Sequence, residues 1–177
     1  MDYFMMQTDK HLRRLPQFQI PKEMTNLEDI KKIRDKGAIP VIYVEGYNGL
    51  SIEYPDYIER PIPLVADKLY SILKKYQPDT FFQRVMLTEK KSGVQKPYHL
   101  MLPPVINCAD SLQSIYDGAG NLQQLVLDVD SVQRTRIFRI KGLSNQIAVR
   151  LDVAESILRR DVGGIWFKPI KTAERNK

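Results

Sequence analysis

The chain has 177 residues, 43% of them hydrophobic and 27% charged, a composition that excludes a disordered or fibrous protein and supplies enough length to bury a core without disulfide or metal staples. Its formal net charge of +6, from 27 Lys and Arg against 21 Asp and Glu, permits an acidic partner or a nucleic acid and demands neither. One cysteine, Cys108, and two histidines, His11 and His99, offer no internal disulfide and no metal-ligand spacing. The opening Met1-Asp2-Tyr3-Phe4-Met5-Met6 turns polar at Gln7, unlike a signal peptide, and no apolar run approaches the roughly 18 residues of a membrane span. The expectation is one cytoplasmic domain over 1–177, with no membrane partner, metal or cofactor.

Tyr3 to Gln7 reads as a first strand, and Pro16 and Pro21 then exclude regular helix or central strand. Thr25-Asn26-Leu27-Glu28 has the pattern of a capping box, with the threonine as cap, ahead of a helix of about three turns ending near Gly37. Ala38 to Glu45 is β-branched without a helical period and reads as a mostly buried central strand. Gly46 to Pro63 reads as a loop with a short extended piece around Ile52. Asp67 is placed to cap a helix whose Leu69, Ile72, Leu73 and Tyr76 share one face, and Pro78 ends it. Phe81–Thr88 and Pro97–Leu102, joined through Lys90-Lys91-Ser92-Gly93, form a β-hairpin.

A turn-rich stretch, Tyr116 to Asn121, precedes a strand from Leu122 to Leu127. Arg134 to Lys141 reads as a strand with Phe138 and Ile140 on one face and Ile137 on the other. Gly142 to Asn145 turns the chain into an extended Ile147 to Val149. Asp152 starts a helix with Val153, Ala154, Ile157 and Leu158 inward, and Gly163-Gly164 leads to a last strand, Ile165 to Ile170, before a polar, frayed end. The fold class is therefore α+β, a mixed sheet with helices packed against it. A shift of 85 residues places Asp67 on Asp152, Ser71-Ile72-Leu73 on Ser156-Ile157-Leu158, Lys74-Lys75 on Arg159-Arg160 and Phe81-Phe82 on Trp166-Phe167. This predicts two strand-helix-strand units in 61–171 related by an internal repeat, behind a variable part over 1–60.

Several residues invite a chemical reading. His99 falls inside a strand and His11 in a basic loop, neither beside a nucleophile and an orienting acid. Cys108 lacks an activating charge and reads as a packed thiol, while Asp117, Asp128 and Asp130 read as turn residues, not as a calcium loop or a carboxylate pair. Gly163-Gly164 precedes a strand, which makes it a turn signal and not a phosphate loop. The strand bearing Arg134, Arg136, Arg139 and Lys141 around Phe138 gives the second reading, a nucleic-acid-binding accessory protein. Against it, Lys31-Lys32, Lys74-Lys75, Lys90-Lys91 and Arg159-Arg160 are scattered over every element. For partner binding, Tyr43 to Arg60 stands out, with Tyr47, Tyr54 and Tyr57 as the candidate contact residues.

The segment Ile137-Phe138-Arg139-Ile140, Ile147-Ala148-Val149, the following amphipathic helix and Val162-Gly163-Gly164-Ile165-Trp166-Phe167-Lys168-Pro169-Ile170 resembles a family of bacterial immunity proteins from polymorphic toxin systems. Leu64-Val65-Ala66-Asp67, Tyr98-His99-Leu100-Met101 and Ile106-Asn107-Cys108-Ala109-Asp110 are similar to the central region of that family, so the likeness spans Pro61 to Lys171. It implies a small cytoplasmic protein that binds and neutralises a cognate protein toxin without catalysis. It carries no binding residue over, because the quoted positions are core and turn residues.

Overall fold

The computed structural model describes residues 2–47, 50–143 and 146–173. In chain order the elements are β1 (Tyr3–Thr8), β2 (Gln17–Gln19), a 3-10 turn (Lys22–Met24), α1 (Leu27–Asp35), β3 (Val41–Glu45), β4 (Tyr57–Ile58), β5 (Leu64–Ala66) and α2 (Asp67–Tyr76). They continue with β6 (Phe81–Glu89), β7 (Gln95–Leu102), β8 (Val105–Ile106), β9 (Ile115–Tyr116), β10 (Leu122–Gln124), β11 (Val126–Leu127) and α3 (Val129–Val132). The last are β12 (Ile137–Ile140), β13 (Ile147–Arg150), α4 (Leu151–Leu158), β14 (Ile165–Pro169) and β15 (Lys171–Thr172).

The class is α+β. Two mixed sheets carry the structure, a six-stranded one in the order β2-β3-β6-β7-β5-β4 and a five-stranded one in the order β14-β1-β13-β12-β8. Strand alternation sends successive side chains to opposite faces, and both sheets bury apolar residues on both. In the five-stranded sheet, Met6, Ile137, Ile147 and Val149 turn towards α2 and α4, where they join Val65, Leu69, Leu73, Met101, Val153 and Ile157 in one core. That core draws on both sheets and both helices, so neither sheet is covered without the other. The opposite face of the five-stranded sheet places Tyr3, Phe138 and Ile140 against Leu127 and Val132. The opposite face of the six-stranded sheet packs Ile42, Val44, Val85, Leu87 and Leu100 against Met24 and Ile30 of the α1 side.

Hydrogen bonds stitch the two sheets where β4 approaches β1 and the turn before β14. Asp56 N donates to Gly163 O at 3.0 Å, and the Thr8 hydroxyl accepts from Glu59 N at 2.8 Å. Gly164 belongs to the same seam. Its φ is +73°, and a Cβ there would stand 2.2 Å from the Cβ of Pro55, so only glycine lets the chains approach this closely.

Several expectations are corrected. Asn26, not Thr25, caps α1: its Oδ1 accepts from Asp29 N at 2.8 Å, while the Thr25 hydroxyl donates to Lys22 O and closes the preceding turn. Asp67 lies inside α2 as its first residue and does not cap it, because His99 takes its carboxylate. In α4, Asp152 is the second residue, held by Arg150 in a two-pronged ion pair at 2.6 and 2.8 Å, and Leu158 is 65% exposed where an inward position was expected. The ladder after β3 forms at Tyr57–Ile58 and not around Ile52. Strand Leu122 to Leu127 breaks into β10 and β11, which pair with different partners. The turn at Gly142 to Asn145 falls partly outside the described residues, and of the end expected to fray over 171–177, Lys171–Thr172 instead pair with β11 as β15 while 174–177 lie outside them.

The two repeat units share a connectivity: β5 and β6 both run antiparallel to β7 between them, and β13 and β14 both run antiparallel to β1. Equivalent positions do not share environments, since Leu73 is fully buried and Leu158 is exposed. The split strand-helix-strand connection recurs among unrelated sheets, so this likeness does not establish a duplication.

Candidate functional site

Strand β3 alternates strictly. Ile42 and Val44 are fully buried towards α1, which turns Val41, Tyr43 and Glu45 to the other face. That face is the one α2 covers, but α2 packs chiefly on β5 and β7 and reaches β6 at its Phe82 end through Tyr70. The part of the sheet made by β2, β3 and the adjoining halves of β6 and β7 is therefore left open. Register fixes its composition: Val41 lies beside Met86 and Met86 beside Pro97, while Tyr43 lies between Gln19 and Thr88, with Gln95 beyond. Tyr43 is 47% exposed and Val41 39%. An aromatic, a methionine and a valine at the centre, ringed by amides and charges, is the composition enriched in protein interfaces.

The rim is polar on two sides. On one, Glu45 is met by Lys90 at 3.2 Å and by the Gln19 amide at 3.2 Å. On the other, Arg84 is exposed and pairs across the strands with His99. His99 marks where α2 begins to cover the sheet: its Nε2 lies 2.7 Å from Asp67 Oδ1, and its ring stacks on Tyr70 with centroids 3.9 Å apart and planes 6° from parallel. Tyr70 in turn meets Phe82 edge-on at 4.9 Å, and the Lys74 ammonium stands over the Tyr70 ring and donates to its hydroxyl at 3.0 Å. Burial lowers the His99 pKa, against which the Asp67 hydrogen bond and charge act in the raising direction. The group ties the first turn of α2 to β7 and gives the open face a fixed aromatic wall.

The three tyrosines expected to meet a partner separate. Tyr47 is 58% exposed, just beyond β3. Tyr54 is half-buried on the α1 side of the six-stranded sheet, with Lys96 over its ring at 5.9 Å, so it lies on the face opposite Tyr43. Tyr57 is corrected outright: it is fully buried in the core beneath α2 and α4, where no partner reaches it, and desolvation raises its pKa. Tyr43, by contrast, is exposed on the open face. The sequence half-conceals this residue, because Ile39 to Val44 is apolar throughout and hides the period of two. Glu45, on the same side as Tyr43, is the one hint that this side faces water.

The other singled-out residues fall into structural roles. Cys108 is buried and its thiol is pushed up to about 11, mainly by desolvation. Asp128 caps α3 by accepting from Asp130 N, and Asp117 accepts from the backbone of Ala119 and Asn121 in its own turn. Asp9 holds His11, an exposed side chain, at 2.9 Å. The basic run expected as a strand over Arg134 to Lys141 is strand only at Ile137–Ile140, which leaves Arg134, Arg136 and Lys141 outside it, and it presents no aromatic: Phe138 is fully buried edge-on to Tyr3, Arg139 donates to Pro103 O, and Arg136 lies 3.6 Å from Asp152. Among the described residues no group of three His, Cys, Asp or Glu is placed to hold a metal, and no helix is long and apolar enough to cross a membrane.

No protein-family model matches this chain, and no curated protein matches it significantly.

Proposed function

We propose that the chain is an immunity-type binding protein, acting in the cytoplasm, that neutralises a cognate protein toxin by covering it and not by catalysis. The observation that carries this reading is the open face of the six-stranded sheet, where Tyr43, Val41 and Met86 lie exposed or half-exposed on a rigid ladder beside Arg84. Strand-borne aromatics lose little entropy on binding and supply large contact area, and Arg is enriched among the residues that dominate interface energetics. The likeness of Pro61 to Lys171 to immunity proteins supports the same reading. The occupant is a protein surface with an apolar centre for Tyr43 and Val41 and a carboxylate for Arg84.

The test is co-expression of this chain with any toxin-domain protein encoded beside it. Bacterial survival together with copurification of the two proteins is the expected outcome. A toxin that kills undiminished and leaves no complex would remove the immunity reading for that pair.

A further inference from the structure

The five-stranded sheet has a second cleft-forming face, away from α2 and α4 and from the open face just described. Register puts Met5 beside Lys168 and Gln7 beside Trp166, and the β13 ladder continued by one residue brings Gln146 to the other side of Gln7. Leu143 and the chain from Gln123 to Leu125 stand over these residues and enclose a cleft of about 500 Å³, within the roughly 300–1,000 Å³ of small-ligand sites.

Its lining has a consistent chemistry. Among its lining residues, Met5 and Ile170 are apolar, Gln7, Gln124 and Gln146 carry amides, and Lys168 and Lys171 carry positive charge. None of the lining residues is acidic, and neither lysine has an ion-pair partner among the described residues. The Asp117 carboxylate, which the Gln123 amide reaches at 3.0 Å, is already occupied by Asn121 and the Ala119 amide. Two ammonium groups at one cleft, without a carboxylate partner among the described residues, favour an anion, and amides that both donate and accept favour a ligand with both kinds of polar group.

We propose that this cleft binds a small organic anion of about nucleotide size, with its phosphate or carboxylate against Lys168 and Lys171 and its polar remainder against Gln7, Gln124 and Gln146. The site lies on the other sheet from the open face and stands or falls independently of it.

Trp166 neighbours Gln7 in the ladder, but the Lys10 ammonium lies over its ring at 4.8 Å and it does not line the cleft, so occupancy is read by isothermal titration calorimetry. The full chain is titrated with AMP, UMP, citrate and inorganic phosphate. A saturable change with at least one organic anion is expected, and the nucleotide and citrate arms tell phosphate from carboxylate recognition. Lys168→Glu, at an exposed position, is expected to weaken that binding about tenfold or more, the worth of one lost charge-assisted contact. Lys171→Glu repeats the test at a second site, and far-UV circular dichroism checks that both variants fold. The proposal is overturned by no saturable response to any of the probes, by inorganic phosphate binding as tightly as the organic anions, or by charge-reversed variants that bind as the parent does.

Discussion

Tyr57 is fully buried, and its hydroxyl is without a hydrogen-bond partner in the described structure. Burying an unpaired hydroxyl is costly, whereas the ring fills core volume beneath α2 and α4. Tyr57→Phe is therefore expected to leave stability unchanged or raise it by up to about 1 kcal/mol, and Tyr57→Ala to lower it by about 3–5 kcal/mol. Urea unfolding of the two variants separates the effects, and a large loss in Tyr57→Phe would show that the hydroxyl is bonded after all. His99 gives a pH test. Its folded-state pKa lies below the usual 6.5 because burial disfavours the charged ring. The unfolded chain thus takes up the proton first as pH falls, and stability is lost between 6.5 and the lower folded value. Removing the imidazole in His99→Gln is expected to flatten that part of the stability-versus-pH curve relative to the parent. Parallel curves for the two proteins over that window would contradict the account.

At the scale of elements, the helices and the hairpin are legible because each carries its own signal. The 3.6-residue period of Leu69, Ile72 and Leu73 and the turn at Gly93 need no knowledge of the rest of the chain. What is not legible is the use made of polar residues that could serve locally or at a distance. Asp67 is chemically a good cap and is instead bound by a histidine 32 residues away, and Thr25 gives its hydroxyl to the turn before the helix. Glycines show the same division. Gly37 and Gly164 both have positive φ, but Gly37 has open space around it and Gly164 abuts Pro55 across the seam between the sheets. Gly37→Ala is expected to cost about 1–2 kcal/mol, the left-handed penalty alone. Gly164→Ala adds a steric clash and is expected to cost about 2–4 kcal/mol. Equal midpoints for the two variants in thermal unfolding would mean that the seam yields without cost.

At the scale of the molecule, α2 and α4 share one core with both sheets. The α+β class follows from the order of elements, whereas the division into two sheets does not, because β1 joins β13 and β14 from the far end of the chain. The open face was hidden for the same reason. Whether Tyr43 meets a helix depends on α2 settling over β5 and β7, a choice made by residues far from Tyr43 in sequence. Tyr57 shows the mirror case, since a tyrosine amid prolines and charges looks like loop and is core. The central claim is that the open face of the six-stranded sheet is where a partner binds. The most direct measurement is the affinity of the parent chain, of Tyr43→Glu and of Leu112→Glu for the partner retained in the co-expression test, Leu112 being a highly exposed residue outside this face. A loss of about thirtyfold or more for Tyr43→Glu, about 2 kcal/mol, with Leu112→Glu unchanged, is the predicted result. Parent-like affinity in a folded Tyr43→Glu variant would contradict it.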